Sequence, residues 1–343
     1  MVPIVGGLLI SLASLFLIVG LLEVWCWRSL ASSRTPPVAS IKNETTPAII
    51  DPDPVLGFHG KPNAKIHHRC IETPAGKLIF DKEYNYGPDG FRRTPAPDGP
   101  KTGHLALFGC SHTFGLGSND EETFAAQLAG LRPEVHVYNF ALPSYSEAQA
   151  VLLARNGILN HVIESPGACA FLLIPDHLNR LQPMTTNLAW TWDAPAFTLG
   201  ESGDVEYLGS MHNAYPLRSW GMLLLSKSVY KRWARLELPV ALPQDSYALC
   251  AALLDDLRKQ YVAHFPGNEF YVLFSPQWQT DRKRFLMLDE LKKRGMRLLN
   301  AEDVYGSDAW QLYYPLDFHP LPKANELLAK WFWETTQPST QSH

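Results

Sequence analysis

Charge of one sign is what this chain has little of: 30 Lys and Arg against 34 Asp and Glu leave a net charge of −4 over 343 residues. So mild a balance, with no basic cluster interleaved with aromatics, argues against nucleic acid as a partner. Cysteine is scarce as well. The five, at positions 26, 70, 110, 169 and 250, are odd in number and scattered, which argues against a disulfide framework; buried thiols are the better reading, with Cys110 and Cys169 inside predicted core strands. His59, His67, His68 and Cys70 fall close together but match no standard ligand spacing, so solvated strand residues are expected there, with neither a metal nor a cofactor. No internal repeat is visible. What is plentiful is apolar side chain: 46% hydrophobic against 19% charged suits one principal domain with appendages.

Met1 to Leu22 carries no charged residue and is dominated by Leu, Ile, Val, Gly and Phe, long enough to cross a bilayer as a helix. Trp25 and Trp27 follow, where interfacial anchors belong. A cleaved signal peptide and a buried helix are the alternatives. The run exceeds a usual signal-peptide core, and Trp27 and Arg28 stand badly before the small-residue site Ser29-Leu30-Ala31, so residues 1–28 read as an uncleaved transmembrane anchor in the lipid bilayer. Residues 29–54, rich in Ser, Thr and Pro and without a hydrophobic period, read as a disordered tether. Strand-like pieces such as Lys77 to Phe80, and the turn signal Tyr86-Gly87-Pro88-Asp89-Gly90, suggest a small β appendage over residues 55–100.

From His104 onward strands and helices alternate, and residues 101–338 form the main domain. The strands expected are His104 to Cys110, Val135 to Ala141, Ala168 to Ile174, Glu269 to Ser275 and Arg297 to Asn300. Helices expected between and after them include Glu121 to Leu131, Glu147 to Val162 behind a Ser146-x-x-Gln149 capping box, Tyr247 to His264, Thr280 to Arg294 and Leu321 to Trp333. Apolar, β-branched runs separated by helices predict an α/β domain with a parallel sheet covered on both faces. The stretch 181–220 breaks the alternation and carries Trp190, Trp192, Phe197, Tyr207, Tyr215 and Trp220. As an insertion after the third strand it would overhang the sheet's end as a lid or platform, with Trp278, Trp310, Tyr313 and Tyr314 adding to an aromatic wall; simple packing of the insertion onto the domain is the other reading.

Two short motifs carry chemistry. Phe108-Gly109-Cys110-Ser111-His112-Thr113-Phe114-Gly115 ends the first buried strand, and Asp317-Phe318-His319-Pro320 precedes the last helix. A serine between small residues on a strand-to-helix turn is exposed to a base, and a neutral imidazole can take its proton while a carboxylate orients the ring. Ser111, His319 and Asp317 are therefore the candidate catalytic residues. Both segments fall at the carboxyl ends of strands, where they can meet. Ser111 as a turn residue, Asp317 as a helix cap and His319 as a surface histidine are the structural alternatives.

With these motifs the chain resembles the SGNH, or GDSL-type, hydrolase and acyltransferase superfamily. Gly109 to Gly117 is similar to the first block G-D-S-x-T-x-G, with Cys110 in place of the aspartate. Asn139 to Ser144 is similar to N-x-G-x-x-G with both glycines replaced. Phe171 to His177 occupies the third block's place without its G-x-N-D, and Asp317-Phe318-His319 resembles the D-x-H of membrane-anchored members. The resemblance spans residues 104 to 333. It implies a flavodoxin-like three-layer sandwich with a five-stranded parallel sheet in the order 2-1-3-4-5. For an oxyanion hole it implies the backbone N–H groups of Ser111 and Ser144, with a side-chain donor near Asp176, His177 or Asn179; an ionised Asp176 cannot donate and would instead hold His177 or Arg180. Trp190, Trp192, Trp310 and Tyr314 are candidate substrate contacts.

The activity implied is that of a membrane-tethered serine esterase removing small acyl groups, acetyl above all, from envelope or exported polysaccharide. An O-acetyltransferase using the same triad, which would need a multi-span membrane partner to bring its acyl donor, and a non-catalytic scaffold of a polysaccharide export assembly are the alternatives. Arg28 and Arg34 after the anchor argue for a cytoplasmic body. Membrane-anchored members work outside the cytoplasm, and an extracytoplasmic body is the expectation.

Overall fold

The structure is a computed structural model that describes residues 2–32, 39–281 and 283–336. It opens with helix α1 (Val2–Ser32), followed by five strands, β1 (Ser40–Thr46), β2 (Ile50–Asp53), β3 (Gly57–Gly60), β4 (Lys65–Thr73) and β5 (Lys77–Asn85). The alternating part runs β6 (Gly103–Phe108), α2 (Ser111–Phe114), α3 (Phe124–Leu131), β7 (Val135–Asn139), α4 (Glu147–Arg155) and β8 (Gly167–Leu173). An insertion then supplies α5 (Leu188–Thr191), β9 (Pro195–Leu199), β10 (Val205–Ser210), α6 (Met211–Ala214), α7 (Pro216–Lys227) and α8 (Val229–Trp233). The domain closes with α9 (Asp245–His264), β11 (Glu269–Phe274), α10 (Arg284–Lys293), β12 (Arg297–Asn300) and α11 (Pro322–Thr336).

Strands β7, β6, β8, β11 and β12 pair in parallel in the order β12-β11-β8-β6-β7, which is the expected 2-1-3-4-5 arrangement. Every residue of β6 is buried, as a central strand covered on both faces requires. The two-residue strand period divides its side chains. Leu105 and Leu107 join a core with Phe124 and Leu128 of α3 and Leu328 and Phe332 of α11, whereas Ala106 and Phe108 join the core formed with α4 and α9. Helix α11 buries Ala324, Asn325, Leu328, Ala329 and Phe332, an i, i+4, i+8 stripe whose Phe332 ring meets Phe124 edge-on with centroids 6.0 Å apart. Strand sheets and helices on both sides thus make three layers.

The expected tether needs correction. Helix α1 continues to Ser32, and residues 40–46 form β1, antiparallel to β4, while residues 50–53 form β2, antiparallel to β3. Residues 33–38 lie outside the described part. The segment lacks a hydrophobic period of its own, but an antiparallel partner satisfies its backbone groups, and that partner is invisible in a local reading. The insertion also runs further than 181–220, through α7 and α8 to the start of α9. Its β9–β10 hairpin sits against α4, where Arg155 stacks on Phe197 and donates to the Val205 carbonyl at 3.4 Å.

Candidate active site

Helix α2 begins at Ser111, directly beyond the carboxyl end of β6. Gly109 makes the turn possible: its φ is +149°, and a Cβ there would collide with the Thr113 side chain and crowd the Leu172 carbonyl. The Ser111 side chain meets a segment 208 residues away. Its Oγ lies 2.8 Å from His319 Nε2, and His319 Nδ1 lies 2.6 Å from Asp317 Oδ2. Ser111 is 6% exposed, the His319 side chain 19% and the Asp317 side chain 2%, so the acid is sealed in while the imidazole keeps one edge open.

Two side chains separated by a single residue share a face in extended backbone but stand about 6.6 Å apart along it, too far for a direct hydrogen bond between an acid and a ring nitrogen. Here Leu316 and Phe318 hold φ of +66° and +59°, and a Phe318 N–H to Tyr314 carbonyl bond of 2.9 Å and a Tyr314 N–H to His319 carbonyl bond of 2.9 Å tighten the loop. That bend lets the D-x-H spacing close.

Several contributors to the site were not among the sequence candidates. Cys70 of β4 lies with its Sγ 3.9 Å from Asp317 Oδ1; burial, and after it Asp317 itself, pushes the thiol up to about 12, so it stays protonated and can donate. His68, two residues earlier, is pushed down to about 4 by burial and stays neutral behind the acid. His112 is buried with its ring 5.3 Å from that of His319, and burial, then His319 and Arg180, hold it well below the usual histidine range. A neutral neighbour adds no like charge when His319 takes a proton. His112 sits inside the serine motif, so the motif alone could have flagged it; Cys70 carried no such signal, because only the pairing of β4 with β1 and β5 brings it under the last loop.

The other expectations divide. Ser144 follows β7 with φ +66°, in the left-handed region that glycine alone enters without cost. Among the described residues neither the Ser111 nor the Ser144 backbone N–H has an acceptor. Asp176 is no donor: Arg180 Nη2 and Nε donate to its Oδ2 at 2.6 and 3.0 Å, and Asn179 Nδ2 donates to its Oδ1 at 3.0 Å. Arg180 also donates to the Tyr145 carbonyl at 2.7 Å, bracing the loop that carries Ser144. His177 is corrected outright. It is fully buried, its Nδ1 accepting from the Ile174 N–H at 3.3 Å and lying 3.5 Å from Glu147, because the turn after β8 aims it into the core beside Phe171.

Beside the Ser111–His319 pair runs an open cleft of about 1520 Å³. Phe318 and Leu321, on either side of His319 in the sequence, line it together with Asn179, Trp310, Tyr313 and Tyr314, whereas Ser111 and His319 themselves do not. Of the four candidate substrate contacts, Trp310 and Tyr314 line this cleft. Trp190 and Trp192 do not line it: Trp192 stacks on His212 with ring centroids 5.2 Å apart, and Trp190 meets Phe58 edge-on at 6.4 Å. Trp278 is wholly buried, stacked on Phe274 and bonded to the Leu173 carbonyl. His59, His67 and His68 each have separate partners, Tyr145, Asp81 and Tyr84.

No protein-family model and no curated protein sequence matches the chain. Solved structures overlap with part of it. A catalytic mutant of Axe2, an acetylxylan esterase from Geobacillus stearothermophilus, aligns at 12% identity over 72% of this chain and all of its own length, with a TM-score of 0.40. TesA aligns at 14% identity over 68% of this chain and 98% of its own, with a TM-score of 0.39. A lipolytic protein of the G-D-S-L family from Veillonella parvula DSM 2008 aligns at 8% identity over 68% and 97%, with a TM-score of 0.35.

Proposed function

We propose that the chain is a membrane-tethered serine esterase that removes small acyl groups, acetyl above all, from polysaccharide through Ser111, His319 and Asp317. The observation that carries the reading is the chain of contacts from Asp317 Oδ2 to His319 Nδ1 at 2.6 Å and from His319 Nε2 to Ser111 Oγ at 2.8 Å. A carboxylate on Nδ1 holds the proton there and leaves the Nε2 lone pair facing the hydroxyl, the tautomer a general base needs.

In the first half-reaction Ser111 Oγ attacks the ester carbonyl carbon and its proton passes to His319 Nε2. Negative charge gathers on the carbonyl oxygen, for which the Ser111 and Ser144 N–H groups are the available donors; one such donor is worth about 3 kcal/mol in the transition state. The imidazolium then gives its proton to the departing sugar oxygen, leaving an acyl-serine. Water attacks that acyl group, His319 takes the water's proton and returns it to Ser111, and the carboxylic acid leaves. The large open cleft and its exposed aromatic rings support a carbohydrate chain as the alcohol side, since sugar C–H faces stack on aromatic faces. Helix α1, long and apolar enough to span a bilayer, supports the tether.

A fluorophosphonate probe tests the reading. The full chain should be labelled covalently and should release acetate from p-nitrophenyl acetate, with both lost in Ser111→Ala and the hydrolysis lost in His319→Ala. Full labelling of Ser111→Ala would remove Ser111 from the chemistry. Acetyl transfer to an added glycan in excess over acetate release would replace the esterase by a transferase, and failure of the wild-type chain to react with the probe would leave a non-catalytic scaffold.

A further inference from the structure

We infer that helices α7 and α8 of the insertion seat the domain on the lipid surface at the point where α1 leaves the bilayer. This rests on the membrane reading of α1. On α7, Leu217, Trp220 and Leu224 recur at i, i+3 and i+7 and are 91%, 57% and 73% exposed, with Leu225 beside them and no side chain at Gly221. The opposite side of the same helix buries Ser219 and half-buries Met222 and Leu223 against the insertion. A helix apolar on both sides is not built to face water, and a patch of this kind on an exposed face marks an interaction surface.

Its neighbours say what covers it. Helix α8 follows directly and docks on the end of α1: Glu23 accepts from the Ser228 hydroxyl and the Val229 N–H at 2.5 Å each, and Trp233 Nε1 donates to Ser29 Oγ at 3.3 Å. The Trp25 and Trp233 rings meet edge to face at 5.2 Å. Trp25, Trp27, Tyr230 and Trp233, all exposed, therefore gather at one level, as aromatic side chains do at a membrane–water boundary. Cations gather there too. Residues 216–240 hold five basic side chains against Glu237 alone, in a chain whose net charge is −4; Arg218 turns inward to donate to Gln182, which leaves Lys227, Lys231, Arg232 and Arg235 for this level. Leu and Trp on one side with Lys and Arg beside them is the composition of a helix lying in the headgroup region, its charges directed to anionic lipid. The occupant of the α7 face is accordingly the bilayer surface.

The test uses the full chain in phosphatidylcholine vesicles with and without phosphatidylglycerol. The five native cysteines are buried, so Leu224→Cys and, separately, Leu17→Cys can each carry an environment-sensitive fluorophore. Blue-shifted emission at position 224, quenched more by spin labels near the headgroup than by those deep in the acyl chains, with position 17 quenched by the deep ones, is the expected result. Adding Leu217→Glu and Lys231→Glu should return the 224 emission to its value in water without moving the signal from 17. An unshifted 224 label beside an inserted 17 label would overturn the seat and leave the anchor. A shifted 224 label that no spin-labelled lipid quenches would mean that protein covers the face, and a 17 label in water would take down anchor and seat together.

Discussion

Replacing Asp317 by Asn changes one atom of the side chain, and the structure sets how much activity should follow it. The acid is 2% exposed, with Oδ2 on His319 Nδ1 at 2.6 Å and Oδ1 facing the Cys70 thiol at 3.9 Å. Because burial and the acid keep that thiol protonated, an amide is best satisfied with its oxygen toward Cys70 and its NH₂ toward His319. The ring nitrogen Nδ1 must then accept, the proton moves to Nε2, and Nε2 points a hydrogen at Ser111 instead of a lone pair. The loss of the countercharge to the imidazolium adds to this. Together the expected fall in kcat is about 10⁴-fold, or about 5 kcal/mol in the barrier. The assay is p-nitrophenyl acetate hydrolysis with the rate of fluorophosphonate labelling alongside, and a thermal melt to show that the shape-conserving variant stays folded. A fall below about tenfold in a folded variant would show that Asp317 only shapes the loop, and the tautomer argument would be wrong.

Two other outcomes test the frame around the site. Glu147 is wholly buried beside Cys250 and His177, and burial pushes its carboxyl up to about 7 from an ordinary 4.5. The folded chain thus binds more protons than the unfolded one between those values, so stability falls as pH rises through that window, by about 3 kcal/mol in all, and levels off above it. His177, held neutral by the same burial, contributes the opposite slope below its ordinary value, and the difference between wild type and Glu147→Gln isolates the carboxyl. Denaturant midpoints measured from about pH 5 to about pH 8 should diverge toward high pH, with the Gln variant the more stable; parallel curves would contradict the buried acid. Gly109→Ala should destabilise by about 1–3 kcal/mol and slow fluorophosphonate labelling, since its methyl group collides with Thr113 at the turn that presents Ser111; an unchanged melt would show that the turn relaxes freely.

The pieces with strong local signals were legible before the fold was known. Apolar runs marked the central strands β6, β8 and β11 to within two residues, because a strand covered on two faces must be apolar throughout, and the edge strands β7 and β12 matched their expected bounds as closely. The Ser146 capping box started α4 where expected, its hydroxyl accepting from the Ala148 N–H and Gln149 returning to the Ser146 N–H. Helix α4 stopped sooner than its apolar pattern suggested, at Arg155, because Asn156 and Gly157, with φ +88°, turn the chain into a short 3-10 segment. The strands β1 and β2 were unreadable, since nothing in Ser, Thr and Pro composition announces a partner, whether it follows 21 to 33 residues on, as for β1 (Thr46↔His67 to Ser40↔Thr73), or 4 to 10, as for β2 (Asp53↔Gly57 to Ile50↔Gly60).

Residue types and order alone settled that a serine turn and an acid–histidine pair stand at opposite ends of an α/β domain, because those signals are local: a strand's apolar run, a glycine that tolerates φ of +149°, a motif of four residues. Only the tertiary structure decided that Leu316 and Phe318 bend the backbone so that Asp317 and His319 touch, that Arg180 rather than a donor for substrate occupies Asp176, that His177 turns inward, and that β4 closes over the acid. Each of these depends on which distant surfaces exclude water from one another, and desolvation belongs to the assembled chain rather than to any stretch of it.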